Sequence, residues 1–581
     1  MRYLALCCDY DGTLAHHGQL DAPTIAAMEK FRASGRRLVM VTGRELDDLK
    51  SVCPRLDLFE LVVAENGALL YWPGTAEERS LGERPPDAFV AELRRRGVER
   101  ISVGRVIVAT WEPHENTVLE TIRDLGLELQ VIFNKGAVMI LPAGINKASG
   151  MRAALAELNL SQHNSIGIGD AENDHAFLSI SECAVAVANA LPSLKERADI
   201  VTRGDHGIGV SELIEEVLAD DLASREPQLA RHHILLGTTR DGSPVRVSPY
   251  GINALVVGTS GGGKSTVAVG LVERLHDHGY TFCIIDPEGD YDNLESAVGV
   301  GSSKHIPTLD ECAQLVGKAD TNVVINLLGL KLNDRPAFFF SLFARLREIR
   351  GRTGRPHVLI VDEAHHVLPA KWDLAQSDFP ALLSGVLLVS VTPDLVSRRV
   401  LRAIDTLIVL GDKPDDSLNE FAAANDITAP SLEGRALEPG NALIWNRHDA
   451  AAPLHVRLEP SRTERRRHLR KYAEGELPAD RSFFFRGPEG KLKLRAHNLI
   501  LFMDLADGVD DATWLFHLQR GEISAWVRDA IKDTALAAQI AKIERDRAMD
   551  PAASRKEIRK LIEAVYTQPA TLRTAASPAA Q

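Results

Sequence analysis

The chain has 581 residues, 45% hydrophobic and 25% charged, with a net charge of −13. That is too long for one core and, at roughly 150 residues per domain, makes about four units; no apolar run reaches the roughly 18 residues that cross a bilayer. The six cysteines carry no CxxC pair, which excludes a disulfide framework or a structural zinc site and points to a reducing cytoplasm.

The first residues, MRYLALCCDYDG, put acids directly after a short apolar stretch, so they read as a buried strand and not as a signal peptide. Further strands are expected at Arg37–Val41, Leu61–Ala64 and Ser165–Ile168, with helices at Ala22–Ser34 and Ala148–Leu158. Apolar strands alternating with helices predict a parallel sheet covered on both faces, with ligands beyond the carboxyl ends of its strands. Polar groups collect at those ends: Asp9-Tyr10-Asp11-Gly12-Thr13, then Thr42-Gly43-Arg44, then Gly169-Asp170-Ala171-Glu172-Asn173-Asp174, with Lys147 ahead of a helix. Carboxylates, a hydroxyl, an ammonium and an amide are what Mg²⁺ plus a phosphate require. Asp9 is expected to attack phosphorus, and Asp11 to protonate the leaving oxygen and later deprotonate water. Thr42 and Lys147 would hold the phosphoryl oxygens.

These residues resemble the four motifs of the haloacid dehalogenase superfamily, in order: DYDGT, VTGR, the NK before a helix, and GDAEND. Glu65-Asn66-Gly67-Ala68 is similar to the ENGA turn of its Cof-type (IIB) branch, in which a small α/β cap is inserted between the second and third motifs. The resemblance implies a Rossmann-like phosphatase domain over 1–220 with a cap at about 85–141. It implies Mg²⁺ held by Asp9, Asp11, Asp170 and Asp174, and substrate phosphate held by Thr42, Gly43, Lys147 and Asn173. His16 and His17 read as a solvated or substrate-facing loop in preference to metal ligands.

In the middle of the chain, Asp241-Gly242 between two strand-like runs is a hairpin signal. The strand Ala254–Val257 then leads into Gly258-Thr259-Ser260-Gly261-Gly262-Gly263-Lys264-Ser265-Thr266 and a helix, the context a phosphate-cradling loop requires. Lys264 would reach the β- and γ-phosphates of ATP and Ser265 the Mg²⁺. The strand His357–Val361 delivers Asp362, read as a second Mg²⁺ holder, and Glu363, read as the base for water. GTSGGGKST, IDPEGDY and VDEAHH together resemble the HerA/FtsK branch of P-loop ATPases. That resemblance implies a RecA-like sheet over 228–460 and, if motor-like, a homo-hexamer with an arginine finger at Arg398 or Arg399. Two departures stand out: the strand that usually ends in a sensor glutamine reads Ser390-Val391-Thr392, and the usual N-terminal barrel is reduced to one hairpin.

Residues 461–581 carry 22 Lys and Arg against 17 Asp and Glu, so the acidic excess lies in the rest of the chain and speaks against a general nucleic-acid coat. This segment reads as a mainly helical domain of unknown role. Glu464–Lys471 is expected to be solvated in preference to a phosphate-binding strip, Phe483–Phe485 to form a hairpin turned at Gly487–Gly490 in preference to an aromatic and basic nucleic-acid surface, and Trp514 and Trp526 to anchor a core. The favoured function is a Mg²⁺-dependent phosphatase acting on a small phosphorylated metabolite, coupled to an ATP-binding domain. The alternatives are a HerA-like DNA translocase with an attached nucleotide or nucleic-acid phosphatase, and an ATP-sensing switch over the phosphatase. DNA is the less favoured partner, and no membrane is expected.

Overall fold

The structure is a computed structural model that describes residues 1–259, 262–292, 294–371, 385–411, 413–430, 437–448, 452–462, 477, 481–531 and 533–566. The chain divides into two compact units, Met1–Pro460 and Ser461–Gln581.

The first unit opens with β1 (Ala5–Cys8), β2 (Arg37–Val41), β3 (Leu61–Ala64), β4 (Leu69–Trp72) and β5 (Glu77–Ser80). A separate antiparallel sheet follows, made of β6 (Ser102–Val103), β7 (Val108–Trp111), β8 (Leu129–Asn134) and β9 (Ala137–Pro142). The chain then returns through β10 (Ser165–Gly169), β11 (Cys183–Ala186) and β12 (Ile200–Val201). The main sheet runs β12-β11-β10-β1-β2-β3-β4-β5, parallel as far as β3. Its central strand is fully buried along ALCC, so an uninterrupted apolar run is what this position demands. The small sheet packs Val108, Val138 and Ile140 against the helices Asp87–Arg95 and Glu115–Asp124. Its other face gives Met139 and Leu141 to a cluster with Ala68 and Ile145 of the main body. It sits between the second and third motifs, as a cap would.

The same unit contains an eleven-stranded sheet. Its strands are β13 (Ile234–Thr239), β14 (Pro244–Val247), β15 (Asn253–Val257), β16 (Phe282–Asp286), β17 (Val298–Val300), β18 (Val323–Asn326), β19 (Val358–Val361), β20 (Val386–Ser390), β21 (Thr406–Val409), β22 (Asn441–Asn446) and β23 (Leu454–Leu458). The order is β14-β13-β23-β22-β21-β15-β20-β19-β16-β18-β17, parallel from β21 onward. The β13–β14 hairpin does not stand alone, because β13 pairs antiparallel with β23. Each face of the sheet has its own core: Val272 and Leu275 of the helix Lys264–Asp277 on one side, Phe339 and Leu342 of the helix Arg335–Thr353 on the other.

The two sheets are joined around Glu182, at the start of β11's approach. Its Oε2 accepts from Tyr280 Oη at 2.6 Å and lies 2.8 Å from His163 Nδ1; its Oε1 accepts from Arg2 at 2.8 Å. His163 Nε2 lies 2.7 Å from the His278 carbonyl, and its ring stacks on Tyr280 at 3.8 Å. A buried carboxylate is tolerated only when paired in this way. Burial alone would raise Glu182; His163 and Arg2 overturn that and hold it at about 2.

The second unit pairs β24 (Phe483–Phe485) with β25 (Leu494–Ala496). Phe483 and Phe485 turn inward against Phe502, Trp514 and Trp526, and Trp514 Nε1 donates to Ser554 Oγ. Among the described residues, five α-helices between Leu499 and Tyr566 complete this core. The run Glu464–Lys471 lies outside the described residues. No described helix is long and apolar enough to cross a membrane.

Because the folded pKa of Glu182 lies below its unfolded value of about 4.5, its contribution to stability is complete above that pH and is lost as the pH falls toward 2. The Glu182→Gln protein should therefore denature at lower urea than wild type at pH 6, by up to about 3 kcal/mol. That gap should narrow progressively between about pH 4.5 and 2; a gap independent of pH would contradict the assignment.

Candidate active site

Four chain segments bring their polar ends together where β1, β2 and β10 stop. Asp9 directly follows β1, and its carboxylate accepts from Lys147 Nζ at 2.6 Å. The same ammonium donates to Asp174 Oδ1 at 2.6 Å. Lys147 opens the helix Lys147–Glu157, capped by Asn146, whose side chain accepts from the N–H groups of Ala148 and Ser149. The cap fixes where the helix begins, and so where the lysine points. The other Asp174 oxygen accepts from the backbone N–H groups of Asp170 and Ala171, which closes the turn after β10.

Asp9, Asp170 and Asp174 form a cluster whose ligand atoms all lie within 4.8 Å of one another, all three residues buried. Asp9 is raised far above the usual carboxylate range, first by burial and then by Asp174, against the pull of Lys147. Asp170 accepts from Thr13 Oγ1 at 3.1 Å and from Lys135 Nζ at 2.9 Å. Lys135 Nζ also donates to the Asp11 carbonyl at 3.1 Å. Gly12 sits between these groups at φ 94°, and a Cβ there would collide with both the Asp170 carboxylate and the Lys135 ammonium. The geometry thus reserves a small space walled by carboxylate and carbonyl oxygens, the donor set that a hard divalent cation takes. Asp9, Asp170 and the Asp11 carbonyl would hold it.

The Asp11 carboxylate stands apart from this cluster. Arg44 takes both of its oxygens, at 2.6 and 2.7 Å, and also pairs with Asp48. The left-handed turn at Gly12 explains this: it aims the Asp11 carbonyl at the cluster and leaves the side chain to Arg44. Thr42 is buried, and its hydroxyl accepts from Arg44 N–H. Gly43 faces Asn173 and the cap residue Met139. Asn173 donates to Asn66 Oδ1 at 2.9 Å. Next to Asn66, the buried Glu65 accepts from the backbone N–H groups of Arg105, Val106 and Ile107, tying the β6–β7 connection of the cap to the core. His16 and His17 are exposed, and the His16 ring lies near His206.

The second site lies at the ends of β15, β20 and β19. Gly263 at φ 93° introduces the helix that begins at Lys264. Lys264 Nζ folds back onto the carbonyls of Gly258 and Thr259, at 3.0 and 3.3 Å. A Cβ at Gly258 would meet the Leu410 carbonyl. Gly262 donates to Thr259, and Ser265 and Thr266 stand half-buried in the first helical turn; Gly261 lies outside the described residues. Asp362 directly follows β19 and accepts from Glu363 N–H. Glu363 takes the left-handed φ of 40° and is pushed up to about 7 by burial and by Asp362. His365 Nδ1 lies 3.4 Å from Glu363 Oε2 and 3.3 Å from Ser390 Oγ. Ser390 is paired beside Val257 at the end of β20, the strand between β15 and β19. Arg398 is tied to Asp426 and to the carbonyls of Ala423 and Ala424, and Arg399 is exposed.

Sequence reasoning missed Lys135, the Arg44 pairing and the anchoring by Glu65. Only the last carried a signal, in the ENGA turn.

A family model described as haloacid dehalogenase-like hydrolase matches residues 6–81 and 99–214, and one described as the central domain of helicase HerA matches 238–344. The chain is 30% identical over 221 residues to phosphoglycolate phosphatase 2 of Saccharolobus solfataricus, covering 37% of this chain and 93% of that protein. It is 31% identical over 223 residues to phosphoglycolate phosphatase of Methanothermobacter thermautotrophicus, covering 37% and 98%. Among solved structures, a haloacid dehalogenase-like hydrolase from Bacteroides thetaiotaomicron aligns at 18% identity and a TM-score of 0.34, over 37% of this chain and 99% of that one. Motifs and relatives agree: the chain belongs to the haloacid dehalogenase-like hydrolases and carries a HerA-type domain behind that part.

Proposed function

We propose that residues 1–220 form a Mg²⁺-dependent phosphatase for a small phosphorylated metabolite of the sugar-phosphate or phosphoglycolate type, acting through Asp9. The observation that carries this reading is the Lys147 ammonium fixed between Asp9 and Asp174 beside the Gly12 space. The named activity of the curated relatives supports the substrate class. When bound, Mg²⁺ would offset phosphate charge beside Asp9. An Asp9 oxygen attacks phosphorus, and the P–O bond to the leaving alcohol breaks. The alcohol oxygen takes its proton from the Asp11 carboxyl once Arg44 has released it. Water then attacks the aspartyl phosphate and gives a proton to Asp11, and inorganic phosphate leaves. Lys147, Thr42 and Asn173 would surround the transferred oxygens, where charge builds in the transition state.

Residues 228–460 would bind and turn over ATP, with Lys264 and Ser265 on the phosphates and Mg²⁺, Asp362 as a further Mg²⁺ holder and Glu363 as base. The raised Glu363 suits a base working near neutrality.

Asp9→Asn should lower Mg²⁺-dependent phosphate release from phosphoglycolate by at least about a thousandfold, with the folded melt retained; a variant that still releases phosphate at the wild-type rate would overturn the nucleophile. In a separate assay, Lys264→Ala should abolish ATP hydrolysis and leave phosphate release by the first domain intact. Several-fold stimulation of the ATPase by duplex DNA would favour the translocase alternative; ATP binding without turnover would favour the switch.

A further inference from the structure

The tip of the cap carries a residue that its turn does not ask for. β8 and β9 are joined by Lys135 and Gly136, at φ 48° and 84°. Two consecutive positive-φ residues make the tight hairpin turn best served by Asn-Gly. A long side chain at the first position is held in a conformation L-residues rarely take. Where local preference is set aside, a functional demand is the usual reason.

The side chain spends that placement on the active site. Lys135 Nζ bonds the Asp170 carboxylate and the Asp11 carbonyl, two of the oxygens that would hold a divalent cation, while the residue stays half exposed. Three cations are drawn to this cleft. Lys147 is enclosed by Asp9 and Asp174, and Arg44 is paired with Asp11 and Asp48. Both belong to the core; Lys135 alone comes from the cap. An ammonium and a divalent cation cannot share the same oxygens, since like charges roughly 3 Å apart repel strongly. Once displaced, the ammonium remains tethered to a two-residue turn above the cleft. Asp9 and Asp170 are then on the metal, Asp174 on Lys147 and Asp11 on Arg44, so apart from the exposed Glu172 the negative charge left for it is the substrate's own. The phosphoryl oxygens belong to Thr42 and Lys147 below, so the group that Lys135 meets lies on the leaving alcohol.

We propose that Lys135 is the cap's exchangeable cation: it holds Asp170 and the Asp11 carbonyl until Mg²⁺ takes them, then binds a carboxylate on the leaving group of the phosphomonoester. The substrate half of this inference rests on the phosphatase reading above; the metal half does not.

The test uses the full chain and Lys135→Asn, which removes the amine and installs the residue the turn prefers, so folding is preserved. Calorimetric titration with magnesium chloride alone should give a Kd roughly tenfold lower in the variant, the scale of one charge-assisted hydrogen bond. The KM for phosphoglycolate should rise roughly tenfold, again one such bond, while that for phenyl phosphate stays unchanged. An unchanged Mg²⁺ Kd overturns the exchange, and an equal rise of KM on both substrates overturns the carboxylate contact. A wild type inactive on both phosphates would sink the phosphatase reading, while the titration, which needs no turnover, would still decide the exchange.

Discussion

One ammonium organises the phosphatase site. Lys147 Nζ stands 2.6 Å from carboxylates that belong to different strands, Asp9 after β1 and Asp174 after β10. Three buried acids at adjacent strand ends would drive those ends apart, because each desolvated charge is costly and each repels the others. The lysine turns that repulsion into a clamp. Asp174 passes the constraint onward through the N–H groups of Asp170 and Ala171, so the β10 turn, the β1 turn and the helix at Lys147 hold one another in place. The residual frustration, seen in the raised Asp9, lies where a cation and a phosphate would relieve it.

The two sites in the first unit are in different states of completion. Around Asp9 nearly every charge has a partner. Around Gly258–Thr266 the lysine is spent on its own loop carbonyls, and Glu363 is held near neutrality by burial beside Asp362. Ser390, where the resemblance expects a glutamine, is joined to Glu363 through the His365 imidazole.

Much of this was legible in the sequence because it depends on local pattern. The stretches ALCC and LVMV are apolar without a break since both faces are covered, and the motifs at Asp9, Thr42 and Asp170 directly follow their strands. The phenylalanine run Phe483–Phe485 and the glycines of the turn after it pointed to a hairpin, and Phe483 and Phe485 are the buried pair. What stayed hidden depends on contacts between distant segments. Arg44 and Asp11 are 33 residues apart, and only the left-handed Gly12 turn decides that they meet. Lys135 and Asp170 meet because the cap folds over the core, a fact no spacing encodes. Glu182 and Tyr280 belong to different sheets, and nothing near either residue announces the other.

The central claim is that Asp9, held ready by Lys147, becomes the site of a transient phosphoryl ester. The most direct measurement is a crystal structure of the full chain grown with Mg²⁺ and beryllium fluoride, a mimic of the phosphoryl group. The account predicts tetrahedral density bonded to an Asp9 oxygen, with Lys147 against its fluorines. Density bound elsewhere in the cleft, with Asp9 left free, would contradict it.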